Sequence, residues 1–265
     1  MKLGILGLIV IVVAVPCFGQ EPSQDELAKK SQNPISNLIS VPLQNNTNFG
    51  IGENDRTQNV MNIQPVIPVT LGKWNLISRT IAPLIYQPDL SETSGGEFGL
   101  GDINYTGFLS PAEAGSVTWG VGPIVSFPTA TDDALGSGKW GLGPSFVALT
   151  MPGKWVIGTL VNNLWSVAGD DDEADVNAFL FQYFINYNFQ KGWYFTTAPI
   201  ITANWEATSG NKWIIPFGAG GGKITRVGRQ PINFSAQIYY NAIHPDTTPY
   251  PDWTFRFQAQ LLFPK

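Results

Sequence analysis

The stretch that decides the fold is WTFRFQAQLLF, residues 253–263. In an extended chain its residues divide into an apolar face, Trp253, Phe255, Phe257, Ala259, Leu261 and Phe263, and a polar face, Thr254, Arg256, Gln258 and Gln260. Alternation with a period of two is typical of a β-strand. The stretch exceeds the usual strand of about 5–6 residues and matches the roughly 9–11 residues with which a tilted strand crosses a bilayer. We therefore predict a membrane-spanning strand with a polar inner face.

Segments of similar length recur throughout the chain. At 231–244 the apolar Phe234 opposes the polar Asn233, whereas the segments 57–71 and 154–168 alternate poorly. The chain divides into twelve segments, at 37–51, 57–71, 74–88, 97–110, 115–128, 138–151, 154–168, 176–189, 193–206, 212–227, 231–244 and 252–264.

Connections between these segments alternate in length. Those after even-numbered segments are short, such as Gly72-Lys73 and Pro152-Gly153. Most of those after odd-numbered segments are longer and acidic, such as Gly169 to Asp175. Short turns at one end and long loops at the other are typical of outer-membrane barrels. An even number of strands then places both termini at the short-turn end.

Aromatic residues concentrate at the segment ends: Trp74, Tyr86, Trp119, Trp140, Trp155, Trp165, Trp193, Trp205, Trp213, Trp253 and Phe263. Amphipathic rings favour the headgroup depth, so membrane barrels carry aromatic girdles at both interfaces. We predict an all-β fold, a transmembrane antiparallel up-and-down β-barrel of about 12 strands with a short N-terminal helical segment.

The composition excludes two classes of protein. Hydrophobic residues make up 43% and aromatic residues 12%, which is too apolar for a disordered chain. The net charge of −5 argues against a nucleic-acid-binding protein, which would show a basic surface. Charged residues are only 13%, against about 25% in average proteins, as expected where much surface faces lipid.

The N-terminus has the pattern of a signal peptide. Lys2 precedes an apolar run from Leu3 to Val15, which is too short to cross a bilayer, and cleavage after Gly19 would follow small residues. A membrane anchor and a lipoprotein acylated at Cys17 are weaker alternatives. We therefore assign 1–19 to the signal peptide.

The mature chain then has two parts. Residues 20–36 form an N-terminal periplasmic segment, and residues 37–265 form the outer-membrane β-barrel. Within the first part, Ser23 and Glu26 form a possible capping box for a short helix from Asp25 to Ser31.

Prolines inside the segments conflict with regular strands, because proline removes a donor from the ladder. They are Pro65, Pro68, Pro83, Pro123, Pro144, Pro199 and Pro216. One interpretation is that they mark bulges that bend strands. The other is a kinked zone that leaves a lateral opening in the wall.

The lumen is where selectivity would reside. The alternation places these residues along it: Arg79, Asp102, Asn104, Thr106, Gln182, Asn186, Asn204, Lys212, Gln237, Tyr239, Arg256 and Gln258. Because unpaired charges away from water are costly, we expect the four charged members to pair or to line water. Leu180, Phe184 and Ile200 would make part of the cavity apolar. Twelve strands fall between a filled eight-stranded barrel and a wide porin, which favours a narrow pore, although a purely structural polar interior is an alternative.

Motifs for catalysis are nearly absent. The single histidine, His244, lies at a loop edge, and the Gly-rich stretch FGAGGGK lacks the Ser or Thr of a phosphate-binding loop. The acidic residues Asp170, Asp171 and Asp172 are a weak metal-binding candidate without the spacing of a calcium loop. We predict no enzyme, no cofactor and no other metal site.

Four stretches resemble a known bacterial family. They are NPISNLISVPLQNNTNFGIGENDRTQNVMNIQPVIPVTLGKWNLISRTIAPLIYQP (33–88), GEFGLGDINYTGFLSP (96–111), GPIVSFPTATDDALGSGKWGLGPS (122–145) and WTFRFQAQLLFPK (253–265). They are similar to outer-membrane barrels grouped under the meta-cleavage pathway of phenol degradation and labelled transporter-like. The resemblance implies a barrel that passes or binds small apolar or aromatic compounds, and it supplies no site residues. Pro264 and Lys265 after Phe263 depart from the aromatic end of many such barrels.

The predicted function is passive passage or binding of small apolar or aromatic solutes in the outer membrane of a Gram-negative bacterium, with periplasmic termini. Expected partners are outer-membrane lipid and lipopolysaccharide, the barrel assembly machinery and an unidentified small solute, with no nucleic acid. Alternatives are a structural or surface-interaction barrel with a blocked lumen, an enzyme barrel, and a soluble periplasmic or secreted β-protein.

Overall fold

The computed structural model describes residues 22–113, 115–246 and 249–264. The signal peptide predicted at 1–19, including Cys17, lies outside the described residues. No helix in these ranges is both long and apolar enough to cross a membrane.

The chain forms a closed antiparallel β-barrel of twelve strands, which confirms the predicted fold class. In chain order the strands are β1 (Ile39–Ile51), β2 in two parts (Arg56–Ile63 and Val66–Leu71), β3 (Trp74–Pro88), β4 in two parts (Gly96–Leu100 and Ile103–Pro111), β5 (Thr118–Phe127), β6 (Lys139–Thr150), β7 (Trp155–Gly169), β8 (Asn177–Asn188), β9 in two parts (Trp193–Thr197 and Ile200–Asn204), β10 (Trp213–Val227), β11 (Gln230–Ile243) and β12 (Trp253–Phe263). Each strand pairs with its neighbour in sequence, and β12 pairs with β1 from Ile39–Phe263 to Phe49–Trp253. Closure leaves no free sheet edge, so the ladder can satisfy the backbone groups of every strand.

The two faces of the strands follow the predicted alternation. On β12, Phe255 and Phe257 are exposed on the outer wall, whereas Arg256 and Gln260 are buried inside. All nine tryptophans lie between 37% and 52% exposed, on the outer surface near the strand ends. The aromatic residues thus form two bands around the barrel, as in a membrane barrel.

The N-terminal segment begins with the helix α1 (Gln24–Ser31), one residue longer than predicted. The capping box is present: the Ser23 side chain accepts from the Glu26 backbone N–H, and the Glu26 carboxylate accepts from the Ser23 backbone N–H at 2.9 Å. This exchange satisfies donors that the first turn of a helix leaves without partners.

Residues 22–38, here called the N-terminal plug, close the short-turn end of the barrel. Leu27 and Ala28 of α1 are buried with Leu38 against Ile224 of β10 and Leu262 of β12. Polar contacts add to this packing. The Gly192 N–H donates to Asp25 at 2.9 Å, Gln32 and Asn188 exchange amide hydrogen bonds at 2.9 and 3.1 Å, and Lys29 donates to the Gly153 carbonyl.

Three of the prolines mark irregular strand positions, as the bulge interpretation predicts. Pro65 lies in the gap between the two parts of β2, and Pro199 lies in the gap of β9. Pro216 lies at a register shift between β10 and β11. By contrast, Pro68 and Pro83 sit within paired registers.

Pro123 and Pro144 are register partners in an indented part of the wall. Beside them the glycines let strands approach closely: a Cβ on Gly122 would lie 1.8 Å from the Gly107 carbonyl, and one on Gly143 would lie 1.7 Å from the Asn163 carbonyl. Outside this indentation lies an apolar groove of about 860 Å³. Among the described residues, this groove and the cavities of the lumen have no lining residue in common. The wall is therefore indented here, and the described residues show no passage through it of the kind that the lateral-opening hypothesis predicts.

A buried apolar cluster fills part of the barrel interior. It is formed by Ile35 of the N-terminal plug, Val66 of β2 and residues of β3 to β8, namely Ile77, Phe108, Val147, Leu149, Val156, Leu160 and Phe184. Buried amides and hydroxyls face the interior as well, among them Asn233, Ser235 and Gln237 of β11 and Gln260 of β12. The open space of the lumen lies against these polar side chains and against Val66, Leu160 and Phe184 of the cluster.

Candidate functional site

Two cavities lie in the lumen, one on each side of Arg256. The plug-side cavity has a volume of about 180 Å³ and extends to the N-terminal plug. The loop-side cavity has a volume of about 210 Å³ and extends to the long loop between β11 and β12, where Tyr250 lines it. Arg256 lines both, so it separates two spaces that would otherwise join.

Arg256 is held across the lumen by neutral partners. Its Nε donates to the Asn46 side chain of β1 at 3.1 Å, and its Nη1 donates to the Ala198 carbonyl of β9 at 3.0 Å. Its guanidinium lies over the Tyr239 ring of β11, 4.8 Å from the centroid. Tyr239 is held in turn, because its hydroxyl accepts from the Ala198 N–H at 3.1 Å and donates to the Gln237 side chain. Arg256, Tyr239 and Ala198 are here called the septum.

The gap in β9 makes the septum possible. Pro199 has no N–H and Ala198 leaves the ladder there, so the Ala198 carbonyl becomes available to the lumen. This carbonyl accepts from both Arg256 and the Gln182 side chain, the latter at 3.2 Å. The proline that looked out of place in a strand thus exposes the carbonyl that holds Arg256.

A second inward arginine depends on a similar gap. Arg79 of β3 lines the plug-side cavity, and its Nη2 donates to the Gln64 side chain at 2.8 Å. Gln64 lies in the gap of β2 and is 6% exposed. The interrupted strand therefore supplies the acceptor that orients Arg79.

Most of the predicted lumen residues lie where the alternation placed them. Those that line the plug-side cavity are Arg79, Gln182, Asn186, Gln237, Arg256 and Gln258. Tyr239 lines the loop-side cavity. Phe184 and Ile200 give the two cavities apolar surface, as expected, whereas Leu180 lines neither cavity and packs against the buried apolar cluster.

Five predicted lumen residues line neither cavity: Asp102, Asn104, Thr106, Asn204 and Lys212. Asp102 accepts from the Ala130 N–H and from the Ser137 backbone and hydroxyl at 2.7–3.2 Å, so it anchors the loop between β5 and β6. Asn104 donates to the Asp102 carbonyl. Lys212 precedes β10 and donates to the Trp205 carbonyl at 2.9 Å.

The four charged residues were expected to pair or to line water, and the described residues show no ion pair among them, whereas Arg79 and Arg256 line open space in the lumen. Among the described residues Asp102 is bound by loop N–H and O–H groups, Lys212 by a carbonyl, and Arg79 and Arg256 by amide or carbonyl oxygens. The reason is positional, because Asp102 and Lys212 lie near the long-loop end, away from the two arginines.

Sequence reasoning missed the contribution of the N-terminal plug to the site. Ser31 and Gln32 line the plug-side cavity, and Ser31 accepts from the Asn233 side chain at 3.3 Å. It also missed Tyr194, whose hydroxyl donates to Asn233 at 2.7 Å. The alternation along β9 could have shown that Tyr194 points inward. Nothing in the sequence, by contrast, showed that the plug enters the barrel.

The motifs weighed for other chemistry have structural explanations. In FGAGGGK, a Cβ on Gly222 would lie 2.3 Å from atoms of the Tyr194 ring, so the glycine makes room for that phenol. His244 stacks near Tyr250, with 6.3 Å between ring centroids. In the acidic loop, Asp170 accepts from the Asp172 N–H at 3.0 Å, and the described residues contain no group of three or more His, Cys, Asp or Glu able to hold a metal.

No protein-family profile and no curated protein sequence matches the chain. Several solved structures, however, are similar to it. The COG4313 outer membrane channel from Pseudomonas putida F1 has a TM-score of 0.65 at 15% identity, covering 85% of this chain and 94% of that one. The Pseudomonas putida toluene transporter TodX has a TM-score of 0.36 at 9% identity, covering 91% and 90%. The similarity to the first structure shows that the fold is that of an outer-membrane barrel.

The comparisons correct one prediction. Outer membrane phospholipase A from Escherichia coli is also similar, at 13% identity and a TM-score of 0.41, covering 86% of this chain and 92% of that one. The prediction that the chain is no enzyme is overturned, because an enzyme is among the barrels it resembles. A TM-score this low carries no argument for a particular reaction.

Proposed function

We propose that the barrel passes or binds small apolar or aromatic solutes passively through its lumen. The observation that carries the proposal is the pair of cavities in line across the septum, of about 180 and 210 Å³. A cavity of about 150 Å³ is large enough for benzene. Both volumes lie below the roughly 300–1,000 Å³ of pockets for drug-sized ligands, so the solute is small.

The cavity walls combine apolar surface with fixed hydrogen-bonding groups. Phe184 and Leu160 line the plug-side cavity, and Ile200, Ile214 and Tyr250 line the loop-side cavity. Amide side chains such as Gln182 and Asn46 stand beside them. This combination is typical of small-molecule sites, in which apolar walls hold the ligand and a few polar groups orient it.

Planar-bilayer recording of the detergent-refolded protein tests the proposal. We expect small discrete conductance steps, and we expect benzyl alcohol added on one side to reduce the current by occupying the cavities. A heat-dependent mobility shift on a gel confirms that the barrel has folded. Large porin-like steps that benzyl alcohol leaves unchanged would contradict the proposal.

A structural barrel with a blocked lumen is the second candidate. The observation in its favour is that the N-terminal plug closes one end and the septum divides the interior. A folded barrel that shows no conductance, and no calorimetric binding of benzyl alcohol, would favour this candidate over the first.

The setting of this activity is also a proposal. The two bands of exposed tryptophan support a location in the outer membrane of a Gram-negative bacterium, with lipid, lipopolysaccharide and the assembly machinery as partners. We place the termini, and the N-terminal plug, on the periplasmic side. Membership of the phenol meta-pathway group rests on the sequence resemblance alone.

A further inference from the structure

The walls of the lumen cavities carry positive charge and no negative charge. Arg79 and Arg256 line the plug-side cavity, and Arg256 also lines the loop-side cavity. Among the described residues no Asp or Glu lines either cavity. Lys30 adds a third cation at the end next to the plug, where it lies near Glu26. The two arginines therefore set the charge of the lumen interior.

Neither arginine has a carboxylate partner in the part of the chain that the structure describes. Arg79 donates through Nη2 to Gln64, and Arg256 donates through Nε and Nη1 to Asn46 and the Ala198 carbonyl. A guanidinium has five N–H donors, so each retains donors that these contacts leave unused. The nitrogens without a partner are Nε and Nη1 of Arg79 and Nη2 of Arg256. Among the described residues none of the three is a fully buried atom lacking a partner, so these nitrogens have access to the cavity that the two arginines line.

The cost of burying charge favours an anion here. Arg256 is only 7% exposed, and removing a guanidinium from water is expensive unless a counter-charge or strong hydrogen bonds replace the water. Neutral amides and the Tyr239 ring supply part of that replacement. A bound anion would supply the remainder, because hydrogen bonds between ionised groups are about twice as strong as neutral ones.

We infer that the lumen holds its solute by a carboxylate, so that the preferred ligands are small organic acids with an apolar or aromatic body. The planar guanidinium matches a carboxylate in a two-point arrangement. Gln182, Gln237 and Gln258 line the same cavity and offer further N–H donors, while Phe184 and Leu160 contact the apolar body. This inference rests on the proposed function and names the chemical group by which the solute is recognised.

Calorimetric titration of the detergent-refolded full chain tests this inference. The probes are sodium benzoate and benzyl alcohol, which share a ring and differ in the carboxylate. The variants are Arg79→Gln, Arg256→Gln and Arg256→Lys, each checked for folding by the heat-dependent mobility shift. Arg229→Gln, in the exposed turn between β10 and β11, is the matched control because it removes an equal charge outside the lumen.

We expect benzoate to bind the wild-type barrel more tightly than benzyl alcohol. Each Arg→Gln variant should weaken benzoate binding by about 10-fold or more, the loss of one charged hydrogen bond, and should weaken benzyl alcohol binding much less. Arg256→Lys should retain part of the benzoate affinity, and Arg229→Gln all of it.

Two results would overturn the inference in different ways. If benzyl alcohol reduces the channel current but benzoate binds no more tightly than benzyl alcohol, the carboxylate assignment is wrong and the proposed function stands. If the folded barrel neither conducts nor binds either probe, the proposed function fails as well.

Discussion

The guanidinium of Arg256 lies 4.8 Å from the centroid of the Tyr239 ring. This pair stands at the one position where both lumen cavities share a wall residue. The contact combines a cation with the negative face of an aromatic ring, which stabilises this arrangement of the two side chains. The septum therefore stands between the two cavities.

Arg256→Ala should join the two cavities. Shortening the side chain removes the atoms that reach Asn46 and Ala198, so we expect a clear rise in single-channel conductance. Planar-bilayer recording measures it. Arg229→Ala is the control, and an unchanged conductance in Arg256→Ala would show that the narrowest section lies elsewhere.

Leu27→Ala should loosen the N-terminal plug. Leu27 is fully buried between α1 and the barrel wall, and truncation of a buried leucine costs about 2–5 kcal/mol. Because the helix then opens more often, we expect faster tryptic cleavage after Lys29 and Lys30. Leu71→Ala, at a residue 54% exposed on the outer wall, should leave the cleavage rate unchanged.

Ser23→Ala should change the titration of Glu26. The hydrogen bonds from the Ser23 backbone and side chain hold the pKa of Glu26 below its ordinary value of 4.5. Since the folded pKa is lowered, the contribution of the carboxylate to α1 is complete above 4.5 and is lost as the pH falls through the lowered pKa.

Removing the Ser23 hydroxyl should move the pKa of Glu26 toward 4.5 and cost the helix about 1 kcal/mol as a lost N-cap. Carboxyl-carbon NMR titration of Glu26 gives the pKa directly. Ser31→Ala, at the other end of α1, should leave it in place, and an equal shift in both variants would argue against the capping box as the cause.

Tyr250→Phe should remove a late phenolate transition. Burial raises the pKa of Tyr250 to about 12. A raised tyrosine pKa means that the folded state favours the neutral phenol, so its contribution to stability is present below 10 and is lost as the pH rises toward 12. Ultraviolet difference titration should lose one transition near pH 12 in the variant, and a loss at lower pH would contradict the burial.

Gly143→Ala should disrupt the barrel wall. A Cβ there would lie 1.7 Å from the Asn163 carbonyl oxygen, far inside contact distance, so the strands must separate. We expect loss of the heat-dependent mobility shift or a lower unfolding temperature. Gly115→Ala is the matched control, since its Cβ would meet nothing nearer than 3.7 Å. Normal folding of Gly143→Ala would show that β6 and β7 are less closely packed.

The sequence by itself determined the barrel. The side-chain period of a strand is a local property, so the alternation at 253–263 placed Phe255 outside and Arg256 inside without knowledge of other strands. The lengths of the turns and the positions of the aromatic residues at the strand ends can likewise be read from the local sequence. The capping box identified α1 in the same way, because Ser23 and Glu26 lie in one helical turn.

Only the tertiary structure decided what the lumen contains. Arg256 meets Ala198 because β9 is interrupted at Pro199, and the two residues lie 58 positions apart. Asp102 faces a loop and leaves the arginines without a carboxylate. The plug enters the barrel because Leu27 is buried against Ile224 and Leu262. Such contacts depend on closure and on the positions of distant strands, and a periodic pattern in the sequence contains neither.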